Sequence, residues 1–340
     1  MELSAKVKKS LNIGFRVIVA LLAFWFIYRQ VFVTGDFSQF SALLKQRLTT
    51  WNFTVLLCTV LALMPVNWGI EALKWKLLIN YVENVSYWNA FRSVLTGISM
   101  SLFTPNRIGE FFGRVFTLKL SDPLKGVLLT IAGSLSQLIA TLLFGSFSLL
   151  AFLPLYYAPS ETWYNYLYAG IVLIVTISGV IMVMLFLRAP VLSAGVHSLI
   201  RPGWKRIHEY VAVLQSVQRM TLFKVLVLSL TRYMVFSFQF FLMLRAFEVH
   251  IPYFQAFVLI SMTYFIVTAI PTVALIDLGI RGSVSIYFIG MYFTDKHCVA
   301  TAILSATTMI WMINLAFPAV LGLFFINRLT FLRKTGTNGN

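Results

Sequence analysis

The segment SLFTPNRIGEFFGRVF, Ser101 to Phe116, places three ionisable side chains between two apolar runs of the chain. They are Arg107, Glu110 and Arg114, and their spacing puts them on one face of a helix that begins after Pro105. Apolar residues occupy the opposite face. The segment is therefore predicted to be a short amphipathic helix, and the function of the protein depends on what its ionised face contacts.

The rest of the chain has the composition of a helical membrane protein. Hydrophobic residues make up 59% of its 340 residues and charged residues only 11%, and several apolar runs reach the roughly 18–20 residues that cross a hydrocarbon core. We therefore predict an all-α polytopic membrane protein and exclude a soluble fold. The first apolar run, Ile13 to Val33, is too long for the core of a signal peptide and is predicted to be a retained span.

No sequence pattern indicates a cofactor, a metal site or a catalytic centre. Cys58 and Cys298 lie far apart in apolar runs, and the four histidines lack the spacing of metal ligands. The sequence also lacks a phosphate-binding glycine loop and a Ser/His/Asp set. We expect no cofactor, no metal and no enzymatic activity.

The formal net charge of +16 follows the membrane rather than a nucleic acid. Lysine and arginine concentrate before the first apolar run, around a central segment and at the end of the chain, whereas the loop Tyr156–Tyr164 contains neither. Because cytoplasmic loops are enriched in these residues, we predict cytoplasmic termini, a cytoplasmic basic linker at residues 188–221 and an external Tyr156–Tyr164 loop. Anionic lipid headgroups account for the excess charge, and no nucleic-acid partner is expected.

This orientation accommodates six full transmembrane helices and two interrupted apolar segments. The predicted crossings are Ile13–Val33, Phe53–Ile79, Leu124–Leu155, Tyr164–Leu187, Leu222–Phe247 and Val299–Ile326. The two other segments, Ala90–Phe103 and Phe254–Ile270, precede Pro105 and Pro271 respectively, and each is followed by a charged turn. We predict that both are re-entrant helical hairpins, because a full crossing by either one would upset the charge-derived orientation.

The two predicted hairpins are similar to each other. Residues 86–105 align without a gap on residues 252–271, with four identities, and each half of the chain has the order span, span, hairpin, span. The halves have opposite orientations. These features predict an inverted-topology repeat, residues 13–155 and 164–326, within a single transmembrane domain of residues 1–340. Chance similarity between aromatic-rich membrane segments is the alternative.

Acid and base pairs recur in the two halves. Glu110 precedes Arg114 by four residues, and Asp277 precedes Arg281 by four, which is the favourable order for an ion pair along a helix. Other ionisable residues in or near apolar runs are Glu71, Lys74 and Arg232. Because a charge at the bilayer centre costs about 2.5–3.5 kcal/mol, such residues are expected to be paired or functional. Two interpretations remain: a substrate-binding site, or structural ion pairs that hold each hairpin to a span.

Three short motifs resemble those of a known family. They are EALKW (residues 71–75), TPNRIGE (residues 104–110) followed by Arg114, and DLGIRG (residues 277–282). The chain resembles, over residues 10–330, the flippase-like family typified by the transmembrane region of lysylphosphatidylglycerol synthase, the multiple peptide resistance factor. The third motif departs from the family pattern, because Gly282 stands where a glutamate is usual.

The resemblance implies a multi-pass protein of the cytoplasmic (inner) membrane that moves lipids between leaflets. The substrate would be an anionic or polyprenyl-linked lipid, and further partners would be a second copy of the chain or a lipid-synthesis enzyme. We expect a stand-alone member without the synthase domain. The predicted substrate-binding residues are Glu71, Lys74, Arg107, Glu110, Arg114, Arg232, Asp277 and Arg281. The predicted hinge and turn residues are Pro105, Gly109, Pro271 and Gly279.

Two alternative functions remain open at this stage. One is an integral-membrane lipid or glycosyl transferase, which would need a catalytic base. The other is a non-transporting membrane partner of a lipid-modifying enzyme. A leaflet-resolved lipid translocation assay separates both alternatives from a transporter.

The predicted orientation can be tested with reporter fusions. Alkaline phosphatase fused within Tyr156–Tyr164 is expected to be active, and green fluorescent protein fused within His197–Arg219 is expected to fluoresce, because each reporter works on only one side of the membrane. Enzyme activity and whole-cell fluorescence are the two measurements. The reverse pattern would contradict the orientation.

Overall fold

The structure, a computed structural model, describes residues 37–102, 104, 108–118, 122–157, 162–193, 205–270 and 274–325. These ranges are largely helical and contain no strand. Five helical stretches in them are long and apolar enough to cross a membrane: Trp51–Ile79, Pro123–Tyr156, Trp163–Leu187, Arg219–Ala246 and Val299–Leu323. The protein is therefore a multi-pass helical membrane protein.

These stretches coincide with five of the predicted crossings. The sixth predicted crossing, Ile13–Val33, lies outside the described residues. In chain order the helices are α1 (Phe37–Leu48), α2 (Trp51–Ile79), α3 (Tyr87–Ser101), α4 (Gly109–Val115), α5 (Pro123–Tyr156), α6 (Thr162–Leu187), α7 (Lys205–Ser216), α8 (Arg219–Ala246), α9 (Tyr253–Ala269), α10 (Ala274–Gly290), α11 (Lys296–Trp311) and α12 (Phe317–Leu323). A π-helical turn, Met312–Ala316, joins α11 to α12.

Local sequence signals define several helix ends. The Ser86 side chain accepts a hydrogen bond from the N–H of Asn89 at the start of α3. Asp122 caps α5 in the same way, and Pro123 occupies the first helical position, where its missing N–H costs nothing. Glu248, between α8 and α9, has a φ of 62°, in the left-handed region.

Two pairs of short helices occupy the segments that were predicted to be hairpins. The first pair is α3 and α4, and the second pair is α9 and α10; the members of each pair pack against each other. At about 1.5 Å per residue, the 15 residues of α3 extend over less than the thickness of a hydrocarbon core. The first short helix of each pair also packs against the long helix that precedes it, α2 or α8.

The two halves of the chain pack against each other reciprocally. Helix α3 packs on α12, the last helix of the second half, and α9 packs on α5, the last long helix of the first half. Both contacts involve a glycine, Gly322 on α12 and Gly145 on α5. A Cβ atom at Gly322 would clash with the carbonyl oxygen of Leu95, and one at Gly145 would clash with the Phe265 ring. Each half therefore packs one of its short helices against a helix of the other half.

Sequence reasoning did not predict two of the helices. Helix α7 lies within the predicted basic linker, and its length of 12 residues is too short to produce a membrane-spanning signal. Helix α1 precedes the second predicted crossing, and its Arg47 forms an ion pair with Glu248 at the turn between α8 and α9. Short amphipathic helices of this kind are defined by what they pack against more than by composition.

The close contact at Gly322 predicts that a glycine-to-alanine substitution lowers stability there but not at an open position. Gly322→Ala is expected to lower the free energy of unfolding by about 1–3 kcal/mol, because the added methyl overpacks the α3–α12 interface. Gly279→Ala is the matched control, because the space around Gly279 is open and alanine is the better helix former. Thermal unfolding in detergent is the measurement, and equal melting temperatures for the two variants would contradict the prediction.

Candidate functional site

A buried carboxylate, Glu71 on α2, is the centre of a charged cluster inside the bundle. Its Oε1 lies 2.9 Å from Arg114 Nη1, and its Oε2 lies 2.7 Å from Lys74 Nζ and 3.3 Å from Arg232 Nη1. Arg114 also forms an ion pair with Glu110, one turn earlier on α4. We call these five residues the Glu71 cluster. It joins α2 and α4 of the first half to α8 of the second half.

The cluster has a buried part and an accessible part. The side chains of Glu71, Lys74 and Arg114 are 5%, 1% and 2% exposed, whereas those of Arg232 and Glu110 are 18% and 16% exposed. A buried charge is tolerated only when it is paired and hydrogen-bonded. Glu71 and its two closest cations are therefore buried as a paired group, and Arg232 and Glu110 form the partly exposed edge of the cluster.

Neutral polar groups extend the cluster to α5. Lys74 Nζ donates to Ser229 Oγ at 3.3 Å, and Ser229 Oγ is 2.7 Å from Ser136 Oγ. Arg232 Nη1 donates to Gln137 Oε1 at 3.2 Å. Gln137 is the only amide side chain in the long apolar helix α5. A single amide in such a helix is a sequence signal for a polar contact, and the sequence-based predictions did not include it.

A second ion pair lies on α10. Arg281 Nε is 2.8 Å from Asp277 Oδ1, four residues earlier, so the helical pairing expected from the spacing is present. The guanidinium group of Arg281 also lies over the ring of Tyr264, 5.5 Å from its centre. Arg232 is placed similarly, 4.8 Å from the ring centre of Trp68. These cation–π contacts orient the two arginines.

A cavity of about 560 Å³ connects the Glu71 cluster with the pair on α10. We call it the central cavity. Its charged lining residues are Glu71, Lys74, Glu110, Arg232, Asp277 and Arg281. Three cations thus face three carboxylates, and Arg114 adds a fourth cation from behind Glu71. No group of three His, Cys, Asp or Glu side chains in the described part of the chain is placed to hold a metal ion.

The central cavity brings together six of the eight residues that were predicted to bind substrate. Arg114 does not line the cavity; it lies behind Glu71 and supports the two glutamates. Arg107 lies outside the described residues, as do Pro105 and Pro271.

The two predicted turn glycines have different positions. Gly109 begins α4, and its N–H donates to Thr104 Oγ1 at 2.7 Å, next to the predicted turn. Gly279 lies inside α10 and is not a turn residue, which corrects the sequence prediction. The helix already begins at Ala274, and one glycine in a helix costs only about 1 kcal/mol relative to alanine.

The fold and the cavity define a class: a multi-pass helical membrane protein whose two halves enclose a charged cavity. The sequence matches the family of the lysylphosphatidylglycerol synthase TM region over residues 13–322, and the chain belongs to this family. The match confirms the resemblance of the sequence motifs and relates the protein to membrane lipids. Comparisons with curated proteins and with solved structures found no match.

The Glu71 cluster predicts a strong dependence of stability on one carboxylate. Glu71→Gln is expected to lower the free energy of unfolding by about 3–5 kcal/mol, because it leaves the buried Lys74 and Arg114 without their shared counter-charge. Glu248→Gln is the matched control, since the same substitution there affects a half-exposed ion pair. Thermal unfolding in detergent measures both, and a Glu71→Gln variant as stable as the control would contradict the structural role of Glu71.

Proposed function

We propose that the protein is a lipid flippase-like secondary transporter that moves an anionic or lipid-linked headgroup between the leaflets of the cytoplasmic membrane. The observation that carries the proposal is the central cavity, because charged residues from both halves of a membrane protein line it. Its volume falls within the range of about 300–1,000 Å³ typical of ligand sites. Family membership supports a lipid as the ligand.

The packing of the helices supports an inverted repeat with two re-entrant hairpins. Helix α3 contacts α12 of the opposite half, and α9 contacts α5 of the opposite half, as a pseudo-two-fold axis in the membrane plane requires. Transporters built from inverted repeats bind substrate where broken helices of the two halves meet. In the orientation that we propose, both termini are cytoplasmic, and a headgroup enters the cavity while its acyl or polyprenyl chains stay in the lipid.

Arg232 and Arg281 are the residues that we propose to contact the headgroup. Both line the central cavity, and their side chains are 18% and 21% exposed. Guanidinium groups bind phosphate oxygens through two parallel hydrogen bonds. Arg232 makes the longest of the three ion contacts to Glu71, so Glu71 keeps its two closer cations when Arg232 turns to a headgroup. The site can therefore bind an anion without leaving Glu71 uncompensated.

The proposed transport involves neither a covalent intermediate nor a cofactor. Arginines and carboxylates bind and release the headgroup, and one of the carboxylates facing the cavity is a candidate for proton exchange. The partners that we propose are membrane lipids, together with a second copy of the chain or a lipid-synthesis enzyme.

The proposal predicts that Arg281→Lys lowers transport without lowering stability. Lysine keeps the positive charge beside Asp277 but loses the planar fork that binds phosphate bidentately. We expect translocation of fluorescent phosphatidylglycerol in proteoliposomes to fall about tenfold, the loss of one good charged hydrogen bond, with an unchanged melting temperature. Arg245→Lys is the matched control, because Arg245 is exposed and does not line the central cavity.

Several outcomes would contradict the proposal. One is translocation by the wild-type protein no faster than in protein-free liposomes, as a transferase or a non-transporting partner would give. Another is an Arg281→Lys variant as active as Arg245→Lys. A third is a loss of activity that only follows a loss of stability.

A further inference from the structure

A smaller cavity of about 80 Å³ adjoins the central cavity. The two cavities share four lining residues, among them Trp68, Arg232 and Arg281. We call the smaller cavity the polar chamber. Asn67, Trp311 and Asn314 also line it, so that it is surrounded by α2, α8, α10, α11 and the π-helical turn. The chamber therefore lies where the two halves meet, beside both proposed headgroup arginines.

The residues around the polar chamber carry polar atoms without partners. Trp68 Nε1, Trp311 Nε1 and Asn314 Nδ2 lack a hydrogen-bond acceptor, and Asn67 Oδ1 lacks a donor. These four residues are 1–8% exposed. Buried polar atoms are almost always paired, because an unpaired one loses its hydration without compensation. Four residues around one chamber therefore have hydrogen-bonding capacity that no protein group uses.

One hydrogen bond and the π-helical turn determine the positions of the amide groups. Asn67 Nδ2 donates to Asn314 Oδ1 at 2.9 Å, which fixes the two amides against each other. Either orientation of the two amides leaves one NH₂ group and one carbonyl oxygen with spare capacity. Asn314 lies in the π-helical turn, and such turns are frequent at functional sites because they reorient side chains within a helix.

Donors predominate over acceptors around the chamber. The side chains that line it carry two indole N–H groups, one amide NH₂ group with spare capacity and two guanidinium groups, against one amide oxygen without a donor. The guanidinium groups also contact carboxylates, that of Arg232 contacting Glu71 and that of Arg281 contacting Asp277. Indole and guanidinium groups can only donate hydrogen bonds. A compact ligand that is rich in acceptors and negatively charged complements these donors. Phosphate meets all three conditions.

We propose that the polar chamber is a phosphate-binding subsite, which receives the phosphate of a lipid headgroup while the rest of the headgroup lies in the central cavity. The lipid as the source of the phosphate rests on the proposed function. Arg232 and Arg281 face both cavities and bind the phosphate from the side of the central cavity. Trp68 also lines both cavities, whereas Trp311 and Asn314 line the polar chamber but not the central cavity, and these three residues supply the remaining donors.

Calorimetric titration of the purified full-length protein in a nonionic detergent tests the proposal. The probes are dihexanoyl phosphatidylglycerol, inorganic phosphate and dihexanoylglycerol, which lacks the phosphate. Trp311→Phe removes one donor and retains an aromatic ring, and Trp163→Phe is the matched control on the exposed face of α6. Asn314→Asp is a second variant, because it places a carboxylate in the chamber and retains the acceptor for Asn67.

We expect the Trp311→Phe and Asn314→Asp variants to bind phosphatidylglycerol about tenfold more weakly, the effect of losing one hydrogen bond to a charged group. Trp163→Phe should bind like the wild type, and dihexanoylglycerol should not compete. Binding of phosphatidylglycerol by both variants within twofold of the wild type would overturn the proposal, and so would equal competition by dihexanoylglycerol.

The other results assign the source of the phosphate and separate this proposal from the proposed function. Inorganic phosphate that binds as tightly as phosphatidylglycerol, with the same loss in Trp311→Phe, would support the subsite but make a soluble anion its ligand. Wild-type translocation combined with unaffected binding in both variants would overturn the subsite alone. Specific binding without translocation would overturn the proposed function alone.

Discussion

The structure depends on one buried carboxylate that three cations share. Glu71 lies on a helix of the first half, and its oxygens contact Lys74, Arg114 and Arg232. None of these charges is stable by itself among membrane helices, because desolvation costs several kcal/mol per ion. Together they connect α2, α4 and α8. The requirement that each charge have a partner thus fixes how a short helix and the two halves of the protein fit together.

The same arrangement produces a cavity that can hold a polar group. Glycines at two helix contacts allow α3 to pack against α12 and α9 to pack against α5. The charged side chains are enclosed between the halves. Glu71, Lys74 and Arg114 are buried and hold the structure, whereas Arg232 and Arg281 reach the cavity. We propose that stability and binding reside in different residues around this cavity, so that the arginines can exchange partners while Glu71 keeps its two closer cations.

Much of this architecture follows from the sequence because few physical rules govern it. Long apolar runs must cross the membrane, so the five crossings within the described residues were predicted within a few residues of their ends. The cost of an intramembrane charge selected Glu71, Lys74, Arg232, Asp277 and Arg281 as a group before any contact was known. The i, i+4 spacing also predicted the pair on α10, which the structure contains.

The remaining features depend on tertiary packing, which one sequence does not encode locally. The contact between Glu71 and Arg114, 43 residues apart, exists only because α4 packs on α3 and α3 packs on α2. Gly279 was expected at a hinge or turn, but the helix begins five residues earlier, at Ala274. The amides and indoles beside the central cavity resembled ordinary residues of apolar helices. Their position around a common space is the basis of the proposed phosphate subsite.

Accessibility of the central cavity to water can be measured with a cysteine at Thr268, which lines the cavity on α9. In a background with Cys58→Ser and Cys298→Ser, a membrane-impermeant thiosulfonate should modify Thr268→Cys in proteoliposomes, and short-chain phosphatidylglycerol should slow the reaction. Thr176→Cys, on an exposed face of the apolar helix α6, should stay unmodified. Equal labelling of both positions, or labelling of Thr268→Cys that the lipid does not slow, would contradict a cavity that admits lipid headgroups.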